Sequence, residues 1–132
     1  MRITADSNLL VRALIGDDAQ QSELAQSQLA SASLVAIALP TLCELVWVLS
    51  KGYGIASSEI ADAVRRLMST TTVAVNRPAV EAGLAAMEEG GDFADGVAAF
   101  DGQWLGGETF VSFDKLTVLS LSARGLPARQ LK

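Results

Sequence analysis

Leu34-Val35-Ala36-Ile37-Ala38-Leu39-Pro40-Thr41-Leu42-Cys43-Glu44-Leu45-Val46-Trp47-Val48-Leu49 admits two readings, and the choice between them decides the fold. As one apolar segment it would be a membrane span. It has 16 residues, short of the ~20 that a spanning helix needs, and Pro40, Thr41 and Glu44 interrupt it. The second reading divides it at Pro40. Leu34 to Leu39 is a continuous apolar run of strand length. Pro40 suits the first position of a helix, where its missing N–H costs nothing, and that helix is expected to reach Ser50 and end at Lys51-Gly52. A buried strand followed by a buried helix is the better account. At the N-terminus, Asp6 follows Met1-Arg2-Ile3-Thr4-Ala5 before any apolar run develops, unlike a targeting signal. The expectation is a cytoplasmic protein with no membrane segment.

Working outward, the same alternation continues on both sides. Arg2 to Ala5 reads as a strand stopped at Asp6-Ser7-Asn8, residues that favour caps and turns because their side chains bond nearby backbone N–H groups. Leu9, Leu10, Ala13 and Leu14 recur at helical spacing. Gly16-Asp17-Asp18 is a break and a cap for a more polar helix over Ala19 to Ala30. Downstream, Ser57 or Ser58 is expected to cap a helix reaching about Met68, and β-branched Thr71 to Val75 reads as a strand. Pro78 opens a helix ending at Gly90-Gly91, Asp92 to Phe100 reads as helix, and Phe110 to Phe113 as strand. The tail from Lys115 predicts a short helix and a last strand near Gln130-Leu131. Strands alternating with helices imply an α/β fold with a parallel sheet covered on both faces, in which ligands bind beyond the carboxyl ends of the strands. Without repeats or linkers, residues 1–132 read as a single domain.

Composition excludes several kinds of chemistry. Half of the residues are apolar and 19% are charged, unlike a disordered chain. The single cysteine excludes a disulfide framework and any multi-Cys zinc site. There is no histidine, which removes His-ligated metals, Ser-His and Cys-His nucleophile pairs and imidazole acid/base catalysis. A net charge of −5 argues against a large duplex-DNA surface and suits a cation or a basic partner gathered at one place.

The acids carry the functional signal. Asp6 directly follows the first strand and would project from its carboxyl edge, or simply cap the next helix. Glu44 sits in an otherwise apolar helix with Pro40, Thr41, Trp47 and Val48 as its same-face neighbours and no cation among them. A helix apolar all round is buried, where an unpaired carboxylate is costly; the alternative is a thin solvent-exposed stripe. Asp92 and Asp95 share a helix face at i, i+3, beside the small Ala98 and Ala99; Asp92 could also cap after Gly91. Asp114 follows the strand ending at Phe113, with Lys115 as a possible local ion-pair partner. If Asp6, Glu44, Asp95 and Asp114 converge at ~5 Å, each pair repels by roughly 3 kcal/mol at an effective dielectric near 20. Protonation or a divalent cation must then relieve them. An oxygen-only donor set suits Mg²⁺ or Mn²⁺, which acidifies bound water and stabilises charge on a phosphoryl oxygen.

These residues, in this order, resemble the PIN-domain ribonucleases, in particular the VapC-type toxins of bacterial toxin–antitoxin pairs. Ala5-Asp6-Ser7-Asn8-Leu9-Leu10-Val11-Arg12 is similar to the family's Asp-Thr-Asn-Val-Leu-Val-Arg start, and Leu42 to Leu49 to its helix with one Glu. Asp92-Phe93-Ala94-Asp95-Gly96-Val97-Ala98-Ala99 resembles its Asp-Phe-x-Asp-x-x-x-Ala helix start, and Val111-Ser112-Phe113-Asp114-Lys115 its Thr-Phe-Asp-Lys strand end. The resemblance implies a three-layer α/β/α sandwich with a central parallel sheet and Mg²⁺- or Mn²⁺-dependent cleavage of RNA. It implies a homodimer with one RNA-binding groove, and inhibition by a cognate VapB-type antitoxin. It carries over Asp6, Glu44, Asp95 and Asp114 as the catalytic, metal-holding acids, with Asp92 accessory and Ser7, Asn8 and Ser112 orienting carboxylates or water. The chain departs from the pattern at Ser7 and Ser112, where threonine is usual and the hydroxyl is kept. At Gly96, where a bulkier residue is common, a looser helix start is expected.

Two other classes compete. A phospho-accepting receiver domain shares the length, the parallel sheet and an acidic Mg²⁺ pocket, but needs an Asp at the end of the third strand, where Val73-Ala74-Val75-Asn76 has none. A non-catalytic binding module on the same fold is the other. Gly52-Tyr53-Gly54 follows a helix and lacks a third glycine, so it reads as a loop. Cys43, with no base to activate it, reads as packing. Trp47 and Trp104 read as core or dimer contacts, and Arg65-Arg66 as a solvated helix face.

Overall fold

The computed structural model describes residues 1–132, which divide into two compact units, Met1–Asn76 and Arg77–Lys132. Seven α-helices and two small parallel sheets make the chain an α/β protein. No helix is long and apolar enough to cross a membrane.

The first unit runs β1 (Arg2–Thr4), α1 (Ser7–Leu14), α2 (Ala19–Ser31), β2 (Leu34–Ala36), α3 (Leu39–Trp47), a π-helical turn (Val48–Gly52), α4 (Ser57–Ser69) and β3 (Val73–Ala74). Its strands lie in the order β1-β2-β3, all parallel, with Ile3 opposite Val35 and Val35 opposite Val73. Helical crossovers return the chain to the same end of the sheet each time. The apolar run from Leu34 makes a shorter strand than expected, because its neighbours are only three and two residues long. Ile37 still donates its N–H to the Ala74 carbonyl at 3.0 Å before the chain turns into α3. The third strand ends at Ala74 and is followed by Val75-Asn76, so it carries no acid where a receiver domain needs one.

Two expectations need correction here. Neither Ser57 nor Ser58 caps α4; the N-cap is Ala56, without a side-chain bond. More consequentially, α3 is not buried all round. Leu42, Leu45, Val46 and Leu49 are buried, whereas Pro40, Glu44, Trp47 and Lys51 form an exposed stripe at spacings of four, three and four. The thin solvent-exposed stripe, the alternative for Glu44, is thus the outcome, and two of its members, Pro40 and Trp47, are themselves apolar.

The second unit runs α5 (Arg77–Glu88), α6 (Phe93–Trp104), β4 (Phe110–Ser112), α7 (Lys115–Ala123) and β5 (Ala128–Gln130). β4 and β5 pair in parallel, Phe110 opposite Ala128 and Ser112 opposite Gln130. Backbone pairing thus gives a three-stranded and a two-stranded sheet rather than one continuous ladder. Ala86, Ala99 and Leu121 form a buried cluster, with Phe110, Leu126 and Ala128 packed against it. Gly90, at φ +83°, lets the chain leave α5 in a conformation that costs glycine nothing. Neither tryptophan is core: Trp47 is 62% and Trp104 77% exposed. The Trp104 ring is tilted against that of Phe100, their centroids 6.5 Å apart.

The Gly96 expectation is reversed. A Cβ there would stand 2.4 Å from the Ala82 carbonyl oxygen and 2.8 Å from the Ala86 Cβ. A Cβ on Gly83 would meet the Phe93 ring at 2.7 Å. These two glycines let α5 and α6 approach closely, so the start of α6 is tightly held.

Candidate functional site

Three of the acids lie in the second unit, where Asp92 and Asp114 are near enough to Asp95 to act on it electrostatically. Asp92 is the N-cap of α6, accepting the Ala94 N–H at 3.1 Å on one carboxylate oxygen. Asp95 stands in the first turn of the same helix. Asp114 is the N-cap of α7, and one of its oxygens accepts both the Leu116 and Thr117 N–H groups, at 2.9 and 3.2 Å. It serves the helix rather than pairing with Lys115. Helix N-termini favour anions through their free N–H groups and dipole, which explains how α6 and α7 sustain three carboxylates in one neighbourhood. Ser112 accepts the Asp114 backbone N–H on its hydroxyl at 2.9 Å. It therefore orients Asp114 through the main chain instead of touching a carboxylate.

Asp95 is the half-buried member. Burial pushes its carboxyl above the ordinary carboxylate range, the negative charges of Asp92 and Asp114 add to the effect, and a hydrogen bond from Thr117 opposes it. That bond runs from the Thr117 hydroxyl to Asp95 Oδ2 at 3.1 Å. Thr117 escaped the sequence reading, and no local pattern signals it, since the pair is separated by 22 residues.

The first unit holds Asp6, Ser7, Asn8 and Glu44. Asp6 follows β1 and caps α1, accepting the Leu9 N–H at 2.8 Å. The capping alternative therefore holds, and the exposed Asp6 directly follows the first strand's carboxyl end. Ser7 and Asn8 form the first turn of α1. Asp6, Asn8, Leu9 and Arg12 line one side of a shallow groove, with Gln21 and Gln28 of α2 opposite. Arg12 donates from Nη1 to Asp17 at 3.0 Å, and the Tyr53 hydroxyl donates to the other Asp17 oxygen at 3.0 Å. The Tyr53 bond first, and Arg12 after it, hold the Asp17 carboxyl below its ordinary value. The Arg12 Nε is buried without a partner.

Glu44, expected to be a desolvated carboxylate, is exposed on α3 beside Trp47. Glu44→Gln is expected to leave folding stability within about 0.5 kcal/mol of the wild type, as for other exposed positions. A urea melt checks this; a loss above ~1 kcal/mol would show a structural partner for Glu44.

No group of three or more His, Cys, Asp or Glu side chains is gathered so as to hold a metal ion by itself. The donor chemistry still fits a hard cation. Mg²⁺ keeps several waters and is commonly bound by one or two carboxylates together with substrate phosphates. Asp95 with Asp114 or Asp92 offers such oxygens, already under like-charge stress. Compared with protein-family models, with curated proteins and with solved structures, the chain has no match in any of the three.

Proposed function

We propose that the chain is a Mg²⁺- or Mn²⁺-dependent endoribonuclease of the PIN-domain type, a three-layer α/β/α sandwich acting as the toxin of a VapBC-type pair. Its partners are RNA, a cognate VapB-type antitoxin and a second copy of itself. The observation that carries the reading is the half-buried Asp95, placed at a helix start within the field of Asp92 and Asp114. The order of the acids along the chain and the lack of histidine support it. A bound divalent cation supplies Lewis acidity toward a phosphoryl oxygen and acidifies water.

The residues have distinct tasks in this reading. Asp95 and Asp114 would hold the cation, with Asp92 beside them; Asp6 and Glu44 are the acids that the resemblance adds from the first unit. The capping bonds of Asp6, Asp92 and Asp114 fix each carboxylate through one oxygen and leave the second for a ligand. Ser112 holds the backbone of Asp114. Arg12, anchored by Asp17 and partly exposed, offers a planar cation to an RNA phosphate in the groove it shares with Asp6 and Asn8.

Incubation of total cellular RNA with the purified protein in Mg²⁺, in Mn²⁺ and in chelator, followed by end mapping, tests the reading. Discrete metal-dependent cuts that Asp6→Asn and Asp95→Asn both lose are expected. Cuts made equally by the variants would mark a contaminant, and no cuts by the wild type would favour a non-catalytic binding module.

A further inference from the structure

Asp95 and Asp114 belong to different helices, and like charge drives them apart, yet one buried residue touches both. Thr117, 5% exposed, donates its backbone N–H to the Asp114 carboxylate at 3.2 Å and its side-chain hydroxyl to Asp95 Oδ2 at 3.1 Å. Its carbonyl accepts the Ser120 hydroxyl at 3.0 Å. Ser120 is buried in turn, against the loop that leads into Asp92: a Cβ on Gly91 would stand 2.2 Å from the Ser120 Oγ. A helical threonine has few rotamers, and its hydroxyl ordinarily bonds a carbonyl one turn back. Here the hydroxyl proton goes to a carboxylate of another helix. We infer that Thr117 is a positioning residue that sets the geometry of the Asp95–Asp114 pair, holding one Asp95 oxygen through its hydroxyl so that the other faces a divalent cation.

The inference deepens the proposed function and rests on it for the identity of the ligand, but it can be tested by metal binding alone. Thr117→Val keeps the shape and removes the donor; Thr117→Ser keeps the donor and removes a methyl. Mn²⁺ binding to the full chain is read from the free-ion paramagnetic resonance signal, alongside RNA cleavage, with Asp95→Asn as the site control and circular dichroism as the check on folding. Partners of metal ligands typically contribute 10–100-fold to metal affinity, so Thr117→Val is expected to weaken Mn²⁺ binding at least about tenfold. Thr117→Ser should remain close to the wild type. A folded Thr117→Val that binds Mn²⁺ like the wild type overturns the inference and leaves the ribonuclease reading intact. So does a Thr117→Ser as impaired as the valine variant, because the methyl rather than the hydroxyl would then matter. Mn²⁺ binding that follows the hydroxyl, in a wild type that cuts no RNA, sustains the positioning role and overturns the ribonuclease reading. A wild type without Mn²⁺ binding overturns the inference.

Discussion

Asp95→Asn is expected to reduce metal-dependent RNA cleavage by roughly 10²- to 10³-fold, the scale set by removing one preorganised electrostatic group from a site, and to do so without loss of stability. The two halves have one physical cause. Asp95 is pushed up chiefly by burial and further by Asp92 and Asp114, so its charged form is disfavoured in the folded chain. A folded-state pKa above the unfolded value means that the folded protein binds more protons between the two values, and stability falls as pH rises through that window. Above it, the ionised Asp95 opposes folding in full. Asparagine removes the charge, keeps the shape and still offers a carbonyl oxygen to the Thr117 hydroxyl. The variant should therefore melt at or above the wild-type temperature at neutral pH, and the difference should shrink on acidification below the window. Thermal melts of both proteins at neutral and acidic pH, beside the cleavage assay, check both halves. A variant that loses activity and melts lower at neutral pH would make Asp95 a structural acid instead.

Gly96→Ala is expected to destabilise the protein by about 1–3 kcal/mol, the usual cost of overpacking, lowering the melting temperature by several degrees. Alanine ordinarily gains up to ~1 kcal/mol over glycine inside a helix, so the sign depends on which effect wins. At Gly96 the nearest obstacle is the Ala82 backbone oxygen, 2.4 Å from the new Cβ, with the Gly83 Cα at 2.9 Å. Neither can move unless α5 shifts as a body. Gly102 lies in the same helix with nothing within 4 Å of its Cβ position. Gly102→Ala is therefore expected to raise stability by up to ~1 kcal/mol. Urea melts of the two variants should shift in opposite directions. A shift of the same sign in both would mean that helix propensity, and not the α5–α6 approach, governs position 96.

Much of the molecule is legible without coordinates wherever the information is local. The division of Leu34–Leu49 at Pro40 follows from length and from proline chemistry, and β2 followed by α3 is the result. The caps at Asp6 and Asp92 are read from short-range rules; Asp114, for which the sequence offers Lys115 as a partner, obeys the same rule. A carboxylate after a strand or a glycine, just before a helical run, has orphan N–H groups within reach, and all three are caps. Asp18 at the start of α2 is a fourth.

What escaped the sequence is what depends on neighbours distant along the chain. Periodicity makes α3 apolar on nearly every face, because Pro40 and Trp47 resemble core residues; only packing decides that they lie on the solvent stripe with Glu44 and Lys51. Gly96 resembles a weak point in a helix until Ala82 and Gly83 of α5 come against it. Thr117 is one hydroxyl residue among many until α7 docks and its proton finds Asp95, 22 residues away. Capping and strand-to-helix alternation are set by bonds spanning a few residues, so the sequence alone determines them. Burial, close approach and the pairing of side chains from different helices arise only when surfaces meet, and those were decided by the tertiary structure.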